Sequence, residues 1–276
     1  MQFTTLNQIS NLIAARKYAA AARHIDTALD TEPGPNWHRD LGKLASFLRD
    51  PRRVPFSPIF AQGNGKLPFL SFSVLPGVSC PGAGACLDWC YSFKAWRYPA
   101  AYARQAQNMV LIQSSCGQIL NALDDVTAPG TPIDFRLYVD GDFHSVDAVA
   151  FWFDAFIKRP YLRVYGYSKS LSELLAYSGP VPGNYKLNLS SGHNSPDSAV
   201  DQVRRLDIYR GDFLAVDVGY KVTSAHHGQR SHQAKLRQAH GRKAFTCPGS
   251  CGDCTPGGHA CGSDKFNNID IIIAAH

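Results

Sequence analysis

Face positions at three- and four-residue steps open the chain: Leu6, Ile9, Leu12 and Ile13, then Ala20, His24, Ile25 and Leu29. That period is helical. A break at Glu32-Pro33-Gly34-Pro35 precedes a second helix expected over Trp37–Leu48, which ends before Pro51. Residues 1–55 therefore read as a helical appendage. From Pro68 the pattern changes. Strands are expected over Phe69–Leu75, Ile133–Val139, Leu162–Tyr167, Lys186–Ser190 and Phe213–Val218. Between them lie helical stretches at Pro99–Leu123, Val146–Ile157 and Leu171–Tyr177. This alternation predicts an α/β domain over residues 66–245 with a parallel sheet, as a complete or partial β/α barrel. A cysteine-rich C-terminal segment follows over residues 246–276. Polar residues recur where the strands end: Cys80 onward, Asp140 and Asp142, Ser168 and Lys169, Ser190 and Ser191, and Asp217. In α/β sheets and barrels that rim is where ligands bind.

The 276 residues are 45% apolar and only 18% charged, which gives material for a sizeable core and argues against wholesale disorder. No window approaches the roughly 18 uninterrupted apolar residues of a membrane span, and no signal peptide opens the chain. The expected compartment is the cytoplasm, with no membrane partner. Disulfides are rare there, and grouped cysteines point to metal or redox chemistry. Seven of the eight cysteines are grouped: Cys80, Cys86 and Cys90 in one loop, Cys247, Cys251, Cys254 and Cys261 in another. Cys116, inside a helical pattern, reads as a small buried apolar residue.

Three thiolates cannot complete the shell of a structural zinc site. They can hold a [4Fe-4S] cluster through three of its irons and leave the fourth open. Gly82 and Gly84 let the chain wrap closely, and Pro81 stiffens the approach. One βα unit later comes Asp140-Gly141-Asp142-Phe143, a glycine for close backbone approach beside carboxylates suited to an ammonium group. A helix cap or turn is the alternative role for either aspartate. His144 is a ligand or proton donor, or else a surface histidine at a helix start. The four C-terminal cysteines suit either closed zinc or a second iron–sulfur cluster, unless one of them crosses over to close the first.

Charge adds a further feature. The net charge is +6, from 28 Lys+Arg against 22 Asp+Glu, and no acidic residue lies between Val218 and Lys243. Lys221, Arg230, Lys235, Arg237, Arg242 and Lys243 are basic there, with His226, His227, His232 and His240 interspersed. Such a stretch can follow a phosphate backbone or clamp a phosphorylated substrate, or it is a solvated face. Tyr220 and Phe245 are too sparse for a base-stacking platform.

The strand, the three cysteines with Trp89 and Tyr91 flanking the last, and the glycine–carboxylate turn resemble the radical S-adenosylmethionine enzymes. The spacing here is C-x5-C-x3-C, against the usual C-x3-C-x2-C. The resemblance implies an open iron that chelates S-adenosylmethionine and a reducing electron donor. Asp140, Asp142 and Lys169 are then the expected catalytic residues, and Gly141, Asp142 and Ser190 the expected cofactor contacts. Cys80 through Tyr91, Arg136 through Ser145, Tyr165 through Ser170 and the tail from Cys247 are also similar to the gene-product-88 type of phage and plasmid proteins. That likeness implies a mobile-element origin and a nucleic acid or nucleotide as substrate, and no particular reaction. The expected function is an iron–sulfur enzyme resembling radical S-adenosylmethionine proteins. Two alternatives use the same residues: a zinc-containing base-exchanging transglycosylase on a barrel, with Asp140 or Asp142 as nucleophile or base, and a metal-stapled nucleic-acid-binding protein.

Overall fold

The structure is a computed structural model that describes the chain except residues 32–33, 129, 221, 224–225, 227–228, 253, 256–257 and 276. The N-terminal periodicity forms three helices, α1 (Phe3–Ala14), α2 (Tyr18–Thr31) and α3 (Pro35–Arg49). The turn between α1 and α2 passes through Arg16 at φ 57°, so one continuous helix is impossible there. Their apolar faces, with Leu6, Ile9, Ile25 and Leu44 fully buried, pack in one continuous core with the later helices and the sheet. Tyr102 fastens the junction: its hydroxyl donates to the Leu6 carbonyl at 2.9 Å.

The α/β architecture follows the expected alternation. In chain order come β1 (Leu70–Ser71), α4 (Pro99–Ser114), α5 (Cys116–Val126), β2 (Ile133–Leu137), α6 (Val146–Ile157), β3 (Leu162–Ser168) and α7 (Leu171–Ala176). Then follow β4 (Tyr185–Ser190), α8 (Asp197–Val203), β5 (Tyr209–Val216), α9 (Arg230–His240), β6 (Ala244–Thr246) and β7 (Asp270–Ala274). All seven strands are parallel, in the order β1-β2-β3-β4-β5-β7-β6. Among the described residues β1 and β6 end the strand order and do not pair with each other, so this is an open sheet and not a complete barrel; outside β1 lies only the Ala61–Ser71 antiparallel bridge. Ordered β1 pairing is brief, but the chain continues alongside β2: the Phe72 amide donates to Arg136 O and the Val74 amide to Asp140 O.

Sequence expectation and structure part in three places. The single helix expected over Pro99–Leu123 is α4 and α5, broken at Ser115. β6 and α8 are too short, at three and seven residues, for periodicity to reveal. β7, the apolar run Ile271–Ile273, lies inside the sheet between β5 and β6. Ser145 caps α6, accepting from the Ala148 amide at 3.2 Å. No helix among the described residues is long and apolar enough to cross a membrane.

Strand residues alternate between two faces. Phe135, Leu137, Leu162, Val164, Leu187 and Leu189 join the helix-covered core. Arg136, Tyr165, Tyr167, Asn188 and Phe213 point the other way, toward the cysteine-rich segment between β6 and β7. That segment is pinned to the sheet by Arg210, which is fully buried. Its Nε donates to Asn188 Oδ1 at 2.7 Å, and Nη1 donates to the Phe266 and Ile269 carbonyls at 2.9 Å each. Asn188 in turn donates to Cys261 O at 3.0 Å. Arg210→Met should strand these buried acceptors and lower unfolding free energy in urea by about 3 kcal/mol. A loss below about 1 kcal/mol would mean that the segment is held by something else.

Candidate functional site

The first cysteine loop lies over the C-terminal ends of β3 and β4, held from two sides. From the β4 side, Gly192 O accepts from the Gly84 amide at 3.0 Å and the Cys86 amide at 3.2 Å, while the Asn194 amide donates to Gly82 O at 3.1 Å. From the β3 side, Lys169 O approaches so closely that a Cβ on Gly82 would lie 1.6 Å from it. Only glycine permits that contact. Two short 3-10 turns, Ala85–Trp89 and Tyr91–Arg97, carry Cys86 and set Cys90 between them.

The C-terminal cysteines reach the same place by a different route. The Cys247 amide continues the sheet by donating to Ile272 O, and the Cys251 amide donates to Lys66 O at 2.8 Å, next to β1. The segment thus runs from the β6 edge to the chain preceding β1. His259 then packs against Phe69 and Tyr165, with ring centroids 4.7 and 4.4 Å apart. All seven grouped cysteines line one cavity of about 760 Å³, within the size range of small-molecule sites. Among the described residues none of the seven forms a disulfide. Among the described residues no three Cys, His, Asp or Glu side chains converge on a common point that would hold an ion.

Burial pushes the Cys80 thiol up to about 12, with the nearby Asp142 charge adding to the shift. It pushes Cys247 to about 11 and Cys261 to about 12, the latter against a hydrogen bond from Tyr167. These thiols are therefore protonated at neutral pH unless a cation holds them as thiolates.

Gly141, Asp142, Lys169 and Ser190 line this cavity, but Asp140 does not. Asp140 is half-buried outside the cavity lining, where its carboxylate accepts from Gln105 at 2.9 Å; burial raises its pKa. Asp142 Oδ1 accepts from Ser168 Oγ at 2.7 Å and the Phe143 amide at 2.8 Å, and Oδ2 accepts from the Lys169 amide at 2.7 Å. Burial pushes its pKa up while these bonds oppose the shift. Asp142 thus anchors the turn that presents Lys169. The Lys169 amine donates to Ser190 Oγ at 2.8 Å. Gly141, at φ +84°, makes room for Val74 and Ser79, which a Cβ would meet at 2.3 and 2.7 Å. Asp217 is a turn residue, accepting from the Gly219 amide.

The cavity wall includes residues to which sequence reasoning gave no role: Tyr91, Arg136, Tyr165, Tyr167 and Phe213. Arg136 lies 4.8 Å over the Tyr167 ring and donates from Nη2 to Tyr91 Oη at 3.3 Å. The signal available was strand alternation: 134 and 136, then 165 and 167, carry polar or aromatic residues opposite Phe135, Leu137 and Val164. His144 does not line the cavity. It is largely buried with Nδ1 lacking a partner, and burial followed by the Arg16 charge lowers its pKa to about 4. Cys116 sits at the start of α5 with its thiol on Ile112 O.

In the basic stretch, Lys221 and His227 lie outside the described residues. His232 is buried against the Tyr220 hydroxyl at 2.6 Å, and His240 meets Asp270 at 3.1 Å. Arg230, Lys235, Arg237, Arg242 and Lys243 are exposed on and after α9. Phe245 packs on Phe266 and borders the cavity.

Fold and site together define a parallel α/β protein whose cysteine-lined cavity opens at the strand ends. The family model for gene product 88 matches residues 56–267, and the chain belongs to that family. Neither a curated protein nor a solved structure matches the chain.

Two consequences are measurable. Gly82→Ala should dislodge the cysteine loop from Lys169 and make its thiols more accessible to alkylation in the folded protein. Unaltered labelling of Cys80 and Cys86 would show that the close approach is dispensable. The lowered His144 pKa favours the neutral ring in the fold. Its stabilising contribution is complete above the ordinary histidine value near 6.5 and is lost as pH falls toward about 4, a loss on the order of 3 kcal/mol. His144→Gln should flatten the fall in stability across that window. Equal slopes in both proteins would contradict the burial of His144.

Proposed function

We propose that this chain is an iron–sulfur enzyme resembling radical S-adenosylmethionine proteins, acting on a nucleic acid or nucleotide, with its open sheet serving as a partial β/α barrel. The observation that carries this reading is the shared cavity. The three-cysteine loop, Gly141 and Asp142 after β2, Lys169 after β3 and Ser190 at the end of β4 all border it, at the end of the sheet where parallel α/β proteins bind ligands.

The donor chemistry fits. Cys80, Cys86 and Cys90 would hold the cluster, their loop offering three sulfurs and no fourth, and binding would draw them together. There the three cysteines would leave one iron open, and the bound cluster, once reduced, would supply the electron for cleavage of S-adenosylmethionine. The remaining work falls to the protein. Asp142 spends its hydrogen bonds on the 168–170 turn and so fixes Lys169. Lys169, steered by Ser190, offers a positive charge to an anionic group. Tyr91, Tyr167 and Phe213 give the cavity wall ring surface against which a substrate would pack. The C-terminal cysteines would hold a second iron–sulfur cluster or zinc, and the exposed cations of α9 would attract a phosphate backbone.

A transglycosylase draws less support, because its nucleophile would be Asp142, with both oxygens engaged, or Asp140, outside the cavity lining. The metal-stapled binding reading retains the basic face but gives no use to Lys169.

Anaerobically prepared, dithionite-reduced protein should show a paramagnetic signal that shifts on adding S-adenosylmethionine, and Cys80→Ala should abolish both the shift and cofactor cleavage. A wild-type protein containing zinc without iron, or a signal blind to the cofactor, would refute this function.

A further inference from the structure

Two arginines lie near the cysteine-rich segment, Arg210 fully buried and Arg136 half-buried, and they are provided for differently. Arg210 has protein acceptors around its guanidinium: the Asn188 side chain and the Phe266, Ile269 and Asp212 carbonyls. Arg136 has the Tyr91 hydroxyl at 3.3 Å and the face of Tyr167, but its Nε is buried with no partner. The Tyr165 hydroxyl is likewise buried with no hydrogen-bond partner. Asp140 lies in the field of Arg136 but accepts from Gln105 instead.

Buried donors without acceptors are rare in folded proteins. Both orphaned donors belong to residues that line the cavity with Cys247, Cys251, Cys254 and Cys261. Tyr165 packs in one buried cluster with Cys261, and Tyr167, two residues on along the same strand face, packs against that cluster with Cys247 and Cys254. A neutral thiol accepts hydrogen bonds weakly, whereas a thiolate held by a metal accepts them strongly and carries charge that needs compensation.

From this geometry we infer that Arg136, Tyr165 and Tyr167 are positioning residues for a metal centre on the C-terminal cysteines, donating to its sulfurs and balancing its negative charge. The inference rests on the metal reading of those cysteines. It assigns the polar face of β2 and β3 a task distinct from that of Lys169 and Ser190, which serve the other end of the cavity. The cysteine tail and the strands would then be mutually dependent: the tail covers the sheet, and the sheet supplies the charge that lets the tail keep its metal.

The test uses the full chain with Cys80, Cys86 and Cys90 replaced by serine, so that only the C-terminal group binds. It is titrated with Co²⁺, whose thiolate charge-transfer absorption reports bound sulfurs. Tyr165→Phe should weaken Co²⁺ binding about tenfold. The melting temperature of the metal-free protein should stay the same or rise, because the variant only removes an unpaired hydroxyl; a merely structural tyrosine would show the opposite pattern. Arg136→Met should weaken binding further, and Arg136→Lys should restore part of it. If the parent binds Co²⁺ and Tyr165→Phe binds it equally well, this inference falls while the metal reading stands. If the parent binds none, both fall.

Discussion

An all-parallel sheet has to bury both faces, and this chain has helices for one. The helices cover the face bearing Phe135, Leu137, Val164 and Leu187. The other face, with Arg136, Tyr165, Tyr167 and Phe213, is covered by a segment with little regular structure, drawn from between β6 and β7. Glycine, proline and cysteine dominate that segment, so it brings little apolar area to the contact. It is secured by polar devices, chiefly Arg210 and Asn188. The cavity is what this loose cover leaves open, and the arrangement of seven cysteines around it follows.

The cavity's chemistry is graded from one end to the other. Lys169 is held by Ser190 near the first cysteine loop, and its turn is fixed by Asp142. Arg136 lies toward the C-terminal sulfurs among three tyrosines. Each group of thiols therefore has one cation within its field, and buried thiols are pushed toward the neutral form unless something stabilises their charge. On the metal reading proposed above, these cations and hydroxyls would offset the charge of metal-bound thiolates.

Much of this was legible in the sequence. Strands β2 to β5 show as apolar runs ending in polar residues, and those ends do gather at one rim, which is why Cys80, Gly141, Asp142, Lys169 and Ser190 share a cavity. Asp142 illustrates the limit of such reading. Its position follows from the strand end, but whether the carboxylate is free or spent depends on Ser168 and Lys169, which only folding brings alongside. Arg136, Tyr165 and Tyr167 escaped notice as wall residues because the cover that turns their face into a cavity comes some hundred residues later. β6 escaped because a three-residue strand carries little periodic signal, and β7 because its apolar run Ile271–Ile273 falls within residues 246–276, read as one cysteine-rich segment.

Both cysteine groups face one cavity, and on the proposed function both hold metal there. Anomalous diffraction at the iron and zinc edges, from crystals of anaerobically purified protein, tests it most directly. One iron peak is expected against Cys80, Cys86 and Cys90 and a second metal peak against Cys247, Cys251, Cys254 and Cys261, with Arg136 beside the latter. Disulfides joining these cysteines, or the absence of any metal peak at either group, would contradict it.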